Sequence, residues 1–301
     1  MDSLDRLRTS CAAVAERAEH VRVERDEIAA YAASLPGETS APDPDPHHAT
    51  GTREERAAFW LTLDAINFGS GWFPTLRKQA GRSGYFTIAA GVSEHGPWSA
   101  SELERLTAGD LATVLGQEPD HELMALFAKS LNDLGRHVMS EFGGLFAALV
   151  DAANGSAGAF VQTLSRWRCF SDVSDYDGLE LPFLKRAQIA AADLHRAGVL
   201  RATDLPKLTM FADNLVPHVL RLDGVLRFAP ELIQRIDREE LIEHGSPEEI
   251  EIRACAVHAV ELIVGERPGS RASDIDQLLW NRGQAPAYKS RPRHRTRCTA
   301  Y

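Results

Sequence analysis

The sequence predicts a single, mostly helical domain spanning residues 1–301, and three observations predict it. Apolar residues recur at intervals of three and four through most of the chain, the spacing that gathers them on one helical face. Thr52, Ser99 and Ser246 each stand three residues ahead of a glutamate (Glu55, Glu102, Glu249), the arrangement in which side chains cap a helix start. After residue 50 no linker is long enough to separate one domain from another, and no internal repeat is evident.

Taken in order, Leu4, Leu7, Cys11, Val14, Ala18 and Val21 describe an amphipathic helix expected to reach about Ala33. Residues 36–52, rich in Pro and Asp, read as an exposed loop, and His47-His48 within it as a solvated pair rather than a metal site. A helix from Thr52 ends at Asn67-Phe68-Gly69-Ser70-Gly71-Trp72, where glycines among aromatics allow a sharp turn and close approach to something flat. Ser83–Gly91 is a short apolar element that periodicity alone leaves open between strand and helix. Short helices follow Ser99 and Thr107, then a long one through Leu123–Val138, and two more at Phe142–Val150 and Phe160–Trp167. The turn-rich Ser171–Gly178 leads to a helix in which Pro182 suits the first turn and Ala197-Gly198 the end. Asp213 is expected on the next helical segment. Further helices start at Pro230 and after Ser246, and Asp276–Trp280 is placed on the last one.

Composition narrows the function. The chain has 33 Lys plus Arg against 43 Asp plus Glu, a formal charge of −10, so its overall field repels nucleic acid and anionic lipid. Stable nucleic-acid binding is not expected, and any anionic ligand needs a local basic site. No apolar run has the length of a membrane span and no signal peptide is evident, which points to a cytoplasmic protein. Cys11, Cys169, Cys255 and Cys298 are widely spaced and read as buried thiols, with neither zinc nor disulfide signalled. No phosphate-binding glycine loop, H-E-x-x-H or G-x-S-x-G is present, and no metal or cofactor is implied.

What remains is a set of polar residues in apolar surroundings: Lys185, Asp213 and Asp276, with the aromatic turn at Phe68 and the basic tail Lys289–Arg297. A charge inside an apolar run is costly unless paired or used. For Asp213 the residue pattern alone also fits a helix-capping aspartate. The apolar end Cys298–Tyr301 suggests that the tail docks rather than frays.

Eight phrases then occur in order: Leu63–Phe68, Ser83–Phe86, Phe183–Ile189, Phe211–Asp213 with Val216-Pro217, Gly224–Arg227, Glu251–Ala254, Ile275-Asp276 with Leu279-Trp280, and His294–Cys298. In these, from about residue 54 to the C-terminus, the chain resembles the queuosine salvage proteins. The resemblance implies a helical fold akin to helix-hairpin-helix DNA glycosylases, and hydrolysis of queuosine 5′-phosphate to queuine and ribose 5-phosphate.

Queuine is a 7-deazaguanine, so the ring nitrogen that purine hydrolases usually protonate is a carbon. Catalysis must instead stabilise a cationic, oxocarbenium-like ribose and deliver water to it, a task suited to a fixed carboxylate. On the resemblance, Asp213 is expected in that role. Asp276 is expected to accept from the donors of the base, Phe68, Phe86 and Trp280 to stack on it, and Asn67 to offer an amide. Lys185, His294 and Arg295 are expected to meet the 5′-phosphate, unless Lys185 pairs with Asp213 and tunes it. The chain departs from the family pattern after the aspartate, usually Tyr-Arg and then Val-Pro-Gln, with Asn214-Leu215 and His218. Two competing readings are a glycosylase acting on the modified base within nucleic acid, and a helical protein that binds queuine without turnover.

Overall fold

The computed structural model describes residues 2–37 and 51–301. Most of the 36–52 loop, with His47 and His48, therefore lies outside the described residues. Fifteen α-helices are present among those described: α1 (Ser3–Arg17), α2 (Ile28–Ser34), α3 (Arg53–Ala65), α4 (Gly84–His95), α5 (Ala100–Leu103), α6 (Ala108–Leu115), α7 (Glu122–Phe142), α8 (Phe146–Ala152), α9 (Ala157–Leu164), α10 (Lys185–Arg196), α11 (Val216–Leu222), α12 (Pro230–Asp237), α13 (Pro247–Gly265), α14 (Ala272–Arg282) and α15 (Pro286–Lys289). Short strands β1 (Val21–Val23) and β4 (Leu226–Phe228) form one antiparallel pair, and β2 (Ser174–Tyr176) and β3 (Leu179–Leu181) another. The expected mostly helical class is observed.

The chain builds two compact units, each from three separate segments. Of the described residues, one takes in 2–37, 172–185 and 205–297; the other takes in 51–171, 186–204 and 298–301. In the first unit α13 is the central helix. Ile250, Ile252, Cys255, Val257, Val260 and Ile263 are buried on several sides of it, and α1, α2, α11, α14 and β1 pack around it. Glu249, Glu251 and Arg253 are buried with them, so each needs a partner.

Glu251 explains a correction at the N-terminus. The helix expected to reach Ala33 stops at Arg17, because the Glu251 carboxylate accepts from the backbone N–H of His20 (2.6 Å) and Val21 (3.0 Å), and Val21-Arg22-Val23 pairs with β4. A distant side chain and a distant strand thus take the N–H groups that the helix would have used. The Ser171–Gly178 stretch holds a hairpin whose turn, Asp177-Gly178, has φ of 49° and 80°, the signature of a type I′ turn. Pro182 lies ahead of the first turn of α10 rather than in it, since that helix begins at Lys185. Asp213 precedes α11 instead of lying on a helix, and α15 follows α14 as a further short helix.

In the second unit α7 is the long axis, with α3, α5, α6 and α8 against it. The Thr52–Glu55 and Ser99–Glu102 capping boxes both form, and Ser83–Gly91, ambiguous in sequence, belongs to helix α4. Gly135, in the middle of α7, meets the backbone of α5: a Cβ there would stand 2.6 Å from the Ala100 carbonyl oxygen and 2.6 Å from the Glu104 nitrogen. All four thiols are buried and free. No helix among the described residues is long and apolar enough to cross a membrane.

The Gly135 contact is testable. Alanine is the better helix former by about 1 kcal/mol, yet Gly135→Ala is expected to destabilise by about 1–3 kcal/mol through overpacking. Urea denaturation reads the sign, and a gain in stability would show that the two helices can separate at little cost.

Candidate active site

The first unit brings several of the expected residues into one hydrogen-bonded arrangement. Its centre is Arg253, whose Nη1 and Nη2 donate to the two carboxylate oxygens of Asp172 at 3.0 and 2.7 Å, with both side chains fully out of water. Such a two-pronged pair is the geometry in which a buried guanidinium and carboxylate satisfy each other. The same guanidinium lies 3.9 Å from the centre of the Phe183 ring, and its Nε donates to the carbonyl of Ala212 at 3.0 Å. Asp172 in turn accepts from the backbone N–H of Lys185 at 3.0 Å and so fixes the start of α10. Its own carbonyl takes the N–H of Leu184, a residue at φ 48°. One buried pair therefore pins Lys185 on one side and the residue before Asp213 on the other.

Asp213 is held twice more. Its Oδ1 accepts from the backbone N–H groups of Leu215 (2.8 Å) and Val216 (3.1 Å), at the start of α11. The capping reading and the catalytic reading are thus compatible, because one oxygen orients the carboxylate and the other, Oδ2, takes no hydrogen bond among the described residues. Asp276, buried on α14, accepts from the N–H of Phe211 at 2.9 Å and so braces the same stretch of backbone. Trp280 follows one turn later on α14 and is half-buried.

The tail is tied to the same stretch of chain. Asn214 Nδ2 donates to the His294 carbonyl at 3.2 Å, Arg221 Nη2 to the Pro292 carbonyl at 2.9 Å, and His218 Nε2 lies 3.0 Å from the Tyr288 carbonyl. Burial pushes the His294 imidazole down to about 3 and His218 to about 4, so both rings are neutral near pH 7. His294 accordingly stands in the fold as a neutral ring rather than as a charge. Arg295 is less enclosed; its side chain lies 3.5 Å from Glu239, and its carbonyl accepts from the N–H of Ile242.

Asn67, Phe68 and Phe86 belong to the second unit. Phe68 is buried edge-on to Phe127, ring centres 5.1 Å apart, under the Arg186 guanidinium at 5.0 Å. Arg186 also donates to the carbonyls of Ala65 (2.5 Å) and Ala300 (3.3 Å), and the N–H of Gly69 donates to the Tyr301 carbonyl. The last four residues are therefore docked, as their apolar character suggests. Asn67 is half-buried just after α3, and Phe86, on α4, is half-buried edge-on to Tyr85. A cavity of about 460 Å³ in the second unit, lined by Arg53, Arg56, Asp151 and Arg201 among others, contains none of the expected residues. Arg53 there is taken up by Asp151 and the Val199 carbonyl, and Arg56 by the Ala197 carbonyl.

Sequence reasoning missed Asp172 and Arg253. Arg253 stood inside a recognised phrase, but nothing local marked Asp172 as its partner 81 positions away.

The comparison with known proteins follows the same residues. The family model described as "Queuosine salvage protein" matches residues 47–301. The chain belongs to the queuosine salvage protein family. A protein of Sphaerobacter thermophilus named queuosine 5′-phosphate N-glycosylase/hydrolase is 35% identical, with 97% of each chain covered. Relatives of the same name from Bos taurus and Dictyostelium discoideum are 30% and 34% identical, covering 83% and 81% of this chain and 83% and 77% of their own. Among the described residues no cluster of His, Cys, Asp or Glu is arranged to hold a metal ion.

Two outcomes follow from this geometry. Arg253→Met leaves Asp172 buried without its counter-charge and is expected to cost about 3–5 kcal/mol, read by urea denaturation; a loss below about 1 kcal/mol would show that the pair is not what holds this region. The depressed histidines fix a pH dependence. The unfolded chain binds protons below about pH 6.5 that the folded protein refuses until about pH 4 at His218 and about 3 at His294. Their contribution to stability is therefore complete above the unfolded value and is lost as pH falls through this window. His218→Gln is expected to make the decline between these values shallower in thermal melts.

Proposed function

We propose that the protein is an N-glycosidic hydrolase that releases queuine from queuosine 5′-phosphate, with Asp213 stabilising the cationic ribose and activating the attacking water. The observation that carries this reading is the state of the Asp213 carboxylate. It is partly exposed, held by two backbone N–H groups through Oδ1, and left with Oδ2 open to a ligand or water among the described residues. A fixed carboxylate already oriented before substrate arrives needs little reorganisation as positive charge builds on the anomeric carbon. The names of the three relatives supply the substrate class.

In this proposal the other residues divide the substrate among them. Asp276 and Trp280, one turn apart on α14, serve the base edge and the ring face. Lys185 and the tail around His294 and Arg295 serve the phosphate. Leaving-group protonation at the ring position is ruled out by the carbon there, so the barrier falls mainly through stabilisation of the ribose cation. A base inside a nucleic acid is the rival substrate, and the formal charge of −10 speaks against it.

The test is Asp213→Asn with queuosine 5′-phosphate as substrate. Queuine release is expected to fall by roughly 10²–10⁴-fold, while binding of the nucleotide persists. Retention of the wild-type rate would remove Asp213 from the chemistry. Faster release from intact tRNA than from the mononucleotide would replace the substrate.

A further inference from the structure

Arg293 stands in surroundings that are unusual for an arginine. Its side chain is half-buried, yet among the described residues it makes no hydrogen bond and no ion pair. Burial acts against its charge, Asp213 favours it, and the neighbouring Arg295 opposes it. A guanidinium keeps its proton in any such setting and presents five N–H donors. An anion that reaches this half-buried guanidinium gains charge-assisted hydrogen bonds from donors that no protein group among the described residues has taken.

The backbone that carries Arg293 is gripped on both sides. Arg221 donates to the carbonyl of Pro292 at 2.9 Å and Asn214 to that of His294 at 3.2 Å. Two further ties lie upstream on the same segment. His218 meets the Tyr288 carbonyl at 3.0 Å, and the Tyr288 hydroxyl donates to Asp223 at 2.6 Å. His218 Nδ1 also lies 3.3 Å from Arg221 Nη2, which fits a ring protonated on Nε2 alone. Asn214 and His218, two of the departures from the family pattern, are thus members of a clamp on the tail. The clamp sets where the Arg293 side chain starts.

We propose that Arg293 is a substrate-binding residue for the 5′-phosphomonoester of the nucleotide, and that Asn214, His218 and Arg221 are positioning residues that hold it ready. Asn214, the residue after Asp213, donates to the carbonyl of His294, the residue after Arg293, at 3.2 Å, so the two side chains start from neighbouring backbone. On a furanose ring the anomeric carbon and the 5′-substituent are attached on opposite sides of the ring oxygen. A cation near the ribose-facing carboxylate but not in contact with it therefore stands where the phosphate of the same molecule can reach. The guanidinium fork matches a phosphate dianion in two-pronged fashion. The proposal rests on Asp213 facing the ribose, and it adds the residue that selects nucleotide over nucleoside.

Two measurements separate this proposal from the functional reading beneath it. In the first, queuine release is followed from queuosine 5′-phosphate and from queuosine. Arg293→Met is expected to reduce the preference for the nucleotide, as kcat/KM, by roughly 10- to 100-fold, mainly through KM; Arg293→Lys should recover some of it. Asn214→Ala should move the same ratio in the same direction by less. An equal fall with both substrates, or a wild-type enzyme indifferent to the phosphate, would overturn the assignment. The second measurement is calorimetric binding of ribose 5-phosphate, which needs no turnover. Weaker binding by Arg293→Met than by wild type by at least about 10-fold supports the phosphate site even if queuine is never released, whereas equal binding sinks it. Circular dichroism melts of each variant establish that the folded protein is what is being compared.

Discussion

The first unit depends on one buried pair, Arg253 with Asp172. Both side chains are out of water, and two charges in that position are tolerated only when each hydrogen-bonding atom is used. Here each of the three guanidinium nitrogens has a destination: Nη1 and Nη2 go to Asp172, Nε goes to the Ala212 carbonyl, and the flat face rests on Phe183. Because Asp172 also takes the Lys185 N–H, the pair joins α13, the start of α10 and the backbone before Asp213 into one rigid junction. Replacing such a pair by apolar residues of similar size can preserve stability in a generic core. It would not preserve the two backbone anchors, and these are what bring Lys185 and Asp213 under common control.

The arrangement gives the proposed chemistry its economy. Asp213 is oriented through its backbone neighbours by one oxygen, and the second takes no hydrogen bond among the described residues; Asp276 steadies the preceding residues through Phe211. The tail is held by side chains of Asn214, Arg221 and His218 reaching to its carbonyls. In both cases the contact joins a side chain to a backbone group. Two neutral, buried histidines fit this plan, since a charged ring at His218 would face Arg221.

Much of the fold was legible from local pattern. Capping boxes at Thr52 and Ser99, the C-cap at Gly198, the start at Pro230 and the buried stripe of α7 follow from interactions within a few residues, which sequence displays directly. Where local and distant interactions competed, pattern reading failed. Val21 continues a helical spacing, yet Glu251 and β4 draw it into a strand. The hairpin at Asp177-Gly178 carried a readable turn signal, but its strands are three residues each, too short for alternation to show. The two units are invisible as linkers for a different reason: each is assembled from three separated segments, so no single stretch of loop marks their division.

For the site, the sequence by itself determined the residue types and their order. Asp213 and Asp276 as carboxylates, Lys185 as a buried cation, the aromatic turn at Phe68 and a basic tail ending in a docked apolar tetrad could all be named, and their order was enough to place the chain in its family. Only the tertiary structure decided how they are held. It showed that one oxygen of Asp213 is spent on Leu215 and Val216, that His294 is too deeply buried to carry charge, and that Arg293 is a tail cation left without a partner among the described residues. The physical reason is that charge state and hydrogen-bond use depend on which groups burial brings within about 3 Å. Asp172 and Arg253, 81 positions apart, meet only when the chain has folded.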